Sequence, residues 1–392
     1  MFRHGDRTPI DPYPNDPYRN NSLWPVGWGQ LTNNGKKRHY ELGKWFRSRY
    51  GQLVGLEYRR ENILVRSTDV DRTLMSAQCN LAGFFPPLGG QRWDEMVDWQ
   101  PIPVHTTPEK EDGLLAMKAP CKKYEEEYKK AKQSDFMVAL DNKYKDLYSY
   151  LTEKTGRLVQ SVIDVEYHFS TLHIESLFNF TLPEWTKKVY PEPMRTASAI
   201  SFAVPTLNTQ LKRLKSGPLL KEMVEHMKSK AGMAPALEKT DNKKMWVYSA
   251  HDTTVSNFLN TLGVFNMLNP PYAATVMVEL RRSSSDNGYY VNVLYKNTTD
   301  VAYLMTLPKC GQVCPLEQFI DNYKDVIPDD WSAECHSHRL FDLTSDLPYN
   351  SLAIFAMVAS TLVVFVLLAS TSLYWHRKTP SHAYKKLKME TL

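Results

Sequence analysis

The chain has 392 residues, 42% apolar and 23% charged, which excludes a disordered polymer and suits one large or two ordinary domains. Its formal net charge of +5 is concentrated at one end. After Trp375 five Lys and Arg residues stand against Glu390, so the rest is close to neutral and a nucleic-acid partner is excluded.

The chain opens on Arg3-His4-Gly5-Asp6-Arg7-Thr8-Pro9. Guanidiniums present forks of donors matched to phosphate oxygens, and an imidazole between them is a candidate nucleophile or acid–base group. A solvated basic turn is the plain alternative for such a tripeptide taken alone. Residues 10–30, rich in Pro, Asn, Tyr and Trp, read as an ordered loop over the mouth of a site. From Leu31 a helical stripe follows through Gly35, Leu42, Phe46 and Tyr50, with Gly51 as the expected C-cap. Ile63-Leu64-Val65 predicts a short buried strand that delivers Arg66. Thr68 and Asp71 are spaced as a capping box for a helix ending near Phe85, before Pro86-Pro87.

Between about 105 and 240 Lys, Glu and Tyr dominate at helical spacing, which predicts a helical insert. Met245-Trp246-Val247-Tyr248-Ser249-Ala250 predicts a strand, ending at His251-Asp252, where Thr253-Thr254 cap a helix closed by Gly263. The stretches 274–280 and 289–295 read as a hairpin. Residues 352–373 form an apolar run without charge, long enough to cross a bilayer core of roughly 30 Å. Arg377-Lys378 beyond it place 376–392 in the cytosol and the first 351 residues outside, a single-pass type I topology with a span over 352–375.

The seven opening residues resemble the signature of the histidine phosphatase superfamily in its acid phosphatase/phytase branch. Arg66-Ser67-Thr68-Asp69-Val70-Asp71-Arg72-Thr73, Trp99 to His105 and Tyr248 to Ser256 add multi-residue likeness to acid phosphatases of the prostatic and lysosomal kind. The resemblance implies an α/β fold: a phosphoglycerate-mutase-like core sheet flanked by helices, formed by 1–104 and 241–345, with 105–240 as an inserted helical cap. The family places a strand, and in secreted members a signal peptide, before the motif; the sequence therefore reads as truncated at its start, within the first strand. The resemblance also implies disulfides Cys121–Cys335 and Cys310–Cys314, leaving Cys79 as a buried free thiol. A zinc site from Cys310, Cys314 and Cys335 with His336 and His338 is the competing reading, without a CxxC pair to support it. The sequons at Asn20, Asn179 and Asn297 fit a lumenal glycoprotein, and Tyr384-Lys385-Lys386-Leu387 has the form of a sorting signal for an adaptor. The expected location is a lysosomal, endosomal or cell-surface membrane, and relatives suggest a homodimer.

The functional reading follows from residues at the carboxyl ends of parallel strands, where α/β sheets bind ligands. His4 is the expected nucleophile, forming a phosphohistidine. Arg3, Arg7 and Arg66, with His251 as a further donor, are expected to hold the phosphate, and Asp252 to protonate the leaving group. No cofactor or metal is expected. One Arg about 6 Å from His4 would cost its protonated form about 3 kcal/mol at an effective dielectric near 20, so the nucleophile stays neutral in acid. An acid optimum is expected, with kcat/KM falling above about pH 6–7 as Asp252 loses its proton. Substrates are small phosphomonoesters, with phosphoproteins or phospholipids as candidates. The alternatives are a phytase, a lysophospholipid-phosphate phosphatase, or a membrane-anchored ectodomain that binds without catalysis.

Overall fold

The β-branched and aromatic runs at 63–65 and 245–248 lie side by side as the middle of a mixed sheet in a computed structural model. It describes residues 1–233, 243–297, 301–336 and 349–378, with side chains described over 360–374 in the last segment. Among the described residues the strands are Phe2–Arg3 (β1), Ile63–Thr68 (β2), His105–Thr107 (β3), Met245–Ala250 (β4), Thr275–Arg282 (β5), Tyr289–Lys296 (β6), Tyr303–Leu304 (β7) and Cys314–Pro315 (β8). Their spatial order is β3-β2-β4-β1-β5-β6-β7, with β8 also on β6. β3, β2, β4 and β1 run parallel, whereas β5 and β6 form the antiparallel hairpin expected from alternation. β1 is only two residues long, yet it occupies the central slot: Phe2 pairs with Ser249 on one side and Thr275 on the other.

Helices cover this sheet. Asn33–Val54 (α1) is capped by Thr32, whose hydroxyl accepts the Gly35 N–H. It ends at Gly55 with φ +93°, a left-handed value suited to glycine. The expected terminator Gly51 is instead buried inside the helix. Asp71–Phe84 (α2) crosses α1 backbone to backbone; a Cβ on Gly43 would stand 1.9 Å from the Asn80 carbonyl. That close crossing sets where the first turn of α2 points.

The middle of the chain forms Lys122–Lys132 (α3), Asp135–Thr155 (α4), Val162–Leu177 (α5), Met194–Ser201 (α6) and Thr209–Lys215 (α7). Leu151, Val162, Leu172 and Met194 build a second apolar core there, with Tyr13 from the opening loop buried among them. The expected boundaries at 104/105 and 240/241 do not match the elements. His105-Thr106-Thr107 carries no apolar signal but pairs with β2 as a sheet edge. Gly217–Lys230 (α8) packs Leu219, Leu220 and Val224 into the core that also holds Tyr248 and Val276. Asp252–Thr261 (α9), Leu316–Tyr323 (α10) and Trp331–Cys335 (α11) complete the unit spanning residues 1–336.

Both expected disulfides are present. Cys121–Cys335 ties the start of α3 to α11 across a sequence separation of 214 residues, and Cys310–Cys314 closes a short loop. Those bonds remove the thiolates that the zinc reading required, and His338 lies outside the described residues. Cys79 is half-buried and free, less enclosed than expected. Asn20 and Asn179 are exposed and Asn297 is half-buried.

In the separate unit beyond residue 336, Tyr349–Lys378 forms one helix (α12) of 30 residues. No helix is long and apolar enough to cross a membrane among the described residues. Tyr384 and Leu387 lie outside them.

Beneath the opening loop, Asp16 and Glu175 place their carboxyl groups within hydrogen-bond reach. Both Glu175 oxygens and one Asp16 oxygen lack any other donor, so the pair is satisfied only by sharing a proton. Burial, then the neighbouring Asp16 charge, raises Glu175 far above the usual carboxylate range. A group raised in the folded state stabilises fully below its unfolded value near 4.3 and loses that contribution as pH climbs toward the folded value. Thermal melts are therefore expected to show falling stability from pH 5 to 8. Glu175→Gln should flatten that slope by on the order of 2 kcal/mol, a few degrees of Tm. An unaltered slope would remove the shared proton as its cause.

Candidate active site

Strand register assembles the site. The pairing of Arg3 with Ala250 puts the residues that follow, His4 and His251, next to each other beyond the carboxyl edge. The His4 N–H donates to the Ala250 carbonyl at 2.9 Å, and the two imidazoles meet edge to face with centroids 5.7 Å apart. β2 ends at the same edge, where the Thr68 hydroxyl lies 3.0 Å from His251 Nε2. The proposed capping box is absent: α2 is capped by the Val70 backbone, and Thr68 serves His251 and Thr73 instead. After His4 the chain turns tightly. The Gly5 N–H donates to Ser76 Oγ at 3.0 Å, and a Cβ on Gly5 would stand 2.5 Å from the Gly35 carbonyl. That approach excludes every other residue type.

His4 is buried, with Nδ1 2.8 Å from its neighbour's carbonyl, Gly5 O. A carbonyl only accepts, so this contact assigns the proton to Nδ1 and the lone pair to Nε2. Burial, followed by the charges of Arg3, Arg72, His251 and Arg7, holds the imidazole well below its ordinary range. His251 is likewise lowered to about 4, by burial and then Arg72. Both rings are therefore neutral in moderate acid.

Around them stand three guanidiniums. Arg3 pairs with Asp252 at 2.7 Å, donates to the Pro270 carbonyl, and stacks 4.2 Å over the Tyr272 ring. Arg7 donates to Thr8 O at 3.1 Å and to Ser170 Oγ on α5 at 3.4 Å. Arg72, the second residue of α2, is lowered to about 10 by burial and then by Arg7. The Nε atoms of all three are buried without a partner. The cluster is rich in donors, which suits a tetrahedral oxyanion. Asp252 feels burial first, which raises it, but Arg3, Arg7 and His251 together bring it below the ordinary carboxylate value. It is thus ionised before substrate binds. The opening loop closes one side: a Cβ on Gly29 would stand 3.8 Å from a guanidinium nitrogen of Arg72.

Arg66 is not part of this cluster. Its guanidinium pairs with Glu222 of α8 at 2.7 Å, beside the Tyr248 hydroxyl that donates to the same carboxylate. Strand pleating explains the correction: Arg66 sits two residues short of the strand end, level with Tyr248, on the face that α8 covers. Arg72, six residues later, lies at a helix start instead. It was written in the same motif, and the rule that helix N-termini meet at a sheet's carboxyl edge would have found it.

Residues 1–296 match the family described as the histidine phosphatase superfamily, branch 2. Prostatic acid phosphatase of Homo sapiens is 41% identical over 353 residues, covering 88% of this chain and 89% of that protein. Lysosomal acid phosphatase of Xenopus laevis is 35% identical over 378 residues, covering 94% and 85%. Among solved structures, the phytase from Citrobacter braakii superposes with a TM-score of 0.63 over 86% of this chain and 98% of its own, at 16% identity. That last likeness is one of fold.

Proposed function

The chain belongs to branch 2 of the histidine phosphatase superfamily, and from that premise we propose that it is an acid phosphatase hydrolysing phosphate monoesters at the site around His4. One observation carries the reading: a buried imidazole, its charged form disfavoured and its Nε2 left free by the Nδ1 contact to Gly5 O, faces three guanidiniums whose donors are not all used. Arg3, Arg7 and Arg72 hold the phosphoryl oxygens, with His251 as a further donor. His4 Nε2 attacks phosphorus in line, forming a P–N bond as the ester P–O bond breaks and the leaving oxygen takes a proton. Water then cleaves the phosphohistidine, with Asp252 accepting its proton, and inorganic phosphate leaves. The complete set of reacting groups favours an enzyme over a binding ectodomain.

The catalytic unit is lumenal in this proposal, in a lysosomal or endosomal compartment, anchored by residues 352–375 with 376–392 cytosolic. Support comes from the charge-free run at 352–373, the basic residues after it, the two disulfides and the exposed sequons at Asn20 and Asn179. Tyr384 and Leu387 would bind a sorting adaptor.

One experiment tests both parts. The full chain is expressed in animal cells, and carbonate-washed membranes and soluble fractions are assayed at pH 5. Phosphomonoesterase activity is expected in the membranes, reduced about 10²–10³-fold in Arg72→Ala and less than about fivefold in Arg66→Ala. Activity released by carbonate would refute the anchor; equal losses in the two variants would refute the assignment of Arg72.

A further inference from the structure

α5 of the helical cap turns one stripe toward the catalytic groups. Ser170 receives Arg7, His173 feels the charge of Arg3, and Glu166, one turn before Ser170 on the same face, bears on Asp252, Arg7 and Arg3. Among the described residues Glu166 makes neither an ion pair nor a hydrogen bond. A carboxyl that feels the charges of Arg7 and Arg3 is expected to be drawn into a salt bridge; this one, on the cap side, forms none among the described residues. Burial, then the Asp252 charge, pushes it up to about 7, against the opposing pull of Arg7 and Arg3.

We propose that Glu166 is a specificity-determining residue that filters anions on the leaving-group side of the site. Three guanidiniums alone would welcome any polyanion, including an ester with a second phosphate beside the scissile one. A carboxyl on the cap face charges that choice: it selects single phosphates on neutral or cationic leaving groups. In acid the group is neutral and the phosphomonoester binds freely; as pH rises it becomes a like charge and substrate affinity falls. The charged groups that face it are Asp252 from α9 and Arg7 and Arg3 from the segment around β1.

The inference rests on the phosphatase reading, and Glu166→Gln tests it on the full chain. The ratio of kcat/KM, variant over wild type, for an aryl monophosphate should rise about tenfold from pH 5 to pH 8, as expected for removing one charge near the substrate. The change should lie in KM, and pyrophosphate should inhibit the variant about tenfold more strongly at pH 8. Glu166→Asp, which keeps the charge, should retain the wild-type profile. A ratio flat with pH, or a change confined to kcat, would overturn the filter. If wild type hydrolysed no phosphomonoester, the phosphatase reading would fail by itself. Calorimetric affinities for inorganic phosphate at the two pH values, in wild type and Glu166→Gln, would still decide the role of Glu166.

Discussion

His4→Ala is expected to lower kcat/KM for phosphomonoesters at pH 5 by about 10⁴–10⁶-fold, the scale for loss of a covalent nucleophile. The backbone should hardly notice. The His4 N–H bond to Ala250 is main-chain and survives, and among the described residues the ring's aromatic and hydrogen-bond contacts are with His251, Tyr272 and its neighbour's carbonyl. Affinity for inorganic phosphate should persist, since Arg3, Arg7 and Arg72 are untouched. Quenching wild type into alkali during turnover of a ³²P-labelled ester should trap a phosphoenzyme, and the variant should trap none. Label on the variant, or more than about 1% residual activity, would move the nucleophile elsewhere. Arg72→Ala should behave differently, forming some phosphoenzyme slowly, because it weakens charge stabilisation without removing the attacking atom.

What the sequence made legible follows from how local each signal is. β2, β4 and the β5–β6 hairpin announce themselves through β-branched and aromatic runs, and the loops at His4 and His251 through residue types that a plain turn does not need. The register that joins them is not local, but parallel pairing next to β4 leaves little freedom once β1 is in place. Arg66 and Arg72 show the limit. Both sit in one motif, and choosing between them requires knowing which face of β2 the cap helices cover, a tertiary fact. Glu166 was illegible for the same reason: nothing in Val165-Glu166-Tyr167 says that this face of α5 meets Arg7. β3 gives no sequence signal because its three residues are polar, and Gly51 reads as a helix end although the helix runs on to Gly55. The disulfide pairs came from the family resemblance; their spacing alone allowed other pairings.

The proton for the leaving group is where the structure changes the expected pH behaviour most. A simple account has Asp252 enter catalysis protonated, so that its loss above pH 6 ends activity. Instead, the net pull of Arg3, Arg7 and His251 over burial leaves this carboxyl ionised in the free enzyme throughout the working range. The proton must then arrive with the substrate. A phosphomonoester monoanion carries one, with a second pKa of about 6. Once bound, its oxygens compete with Asp252 for the Arg3 fork, and its negative charge raises the carboxyl's proton affinity, so the proton can pass to Asp252 and on to the leaving oxygen. Because kcat/KM reports the free enzyme and free substrate, its alkaline limb is expected to follow the second pKa of the ester, falling about tenfold per pH unit above it. Measured in Glu166→Gln, which removes the competing ionisation of the cap, the limb should move acid-ward for esters with a lower second pKa. A limb at one pH for every ester would show that an enzyme group supplies the proton. Asp252→Ala should cost about 10²–10⁴-fold with alkyl esters, whose leaving oxygens need protonation, and far less in the first step with a nitrophenyl ester. With that ester the variant should release one equivalent of phenol in a burst and then stall, because the same carboxylate activates water against the phosphohistidine. A linear time course would divide those two roles between different residues.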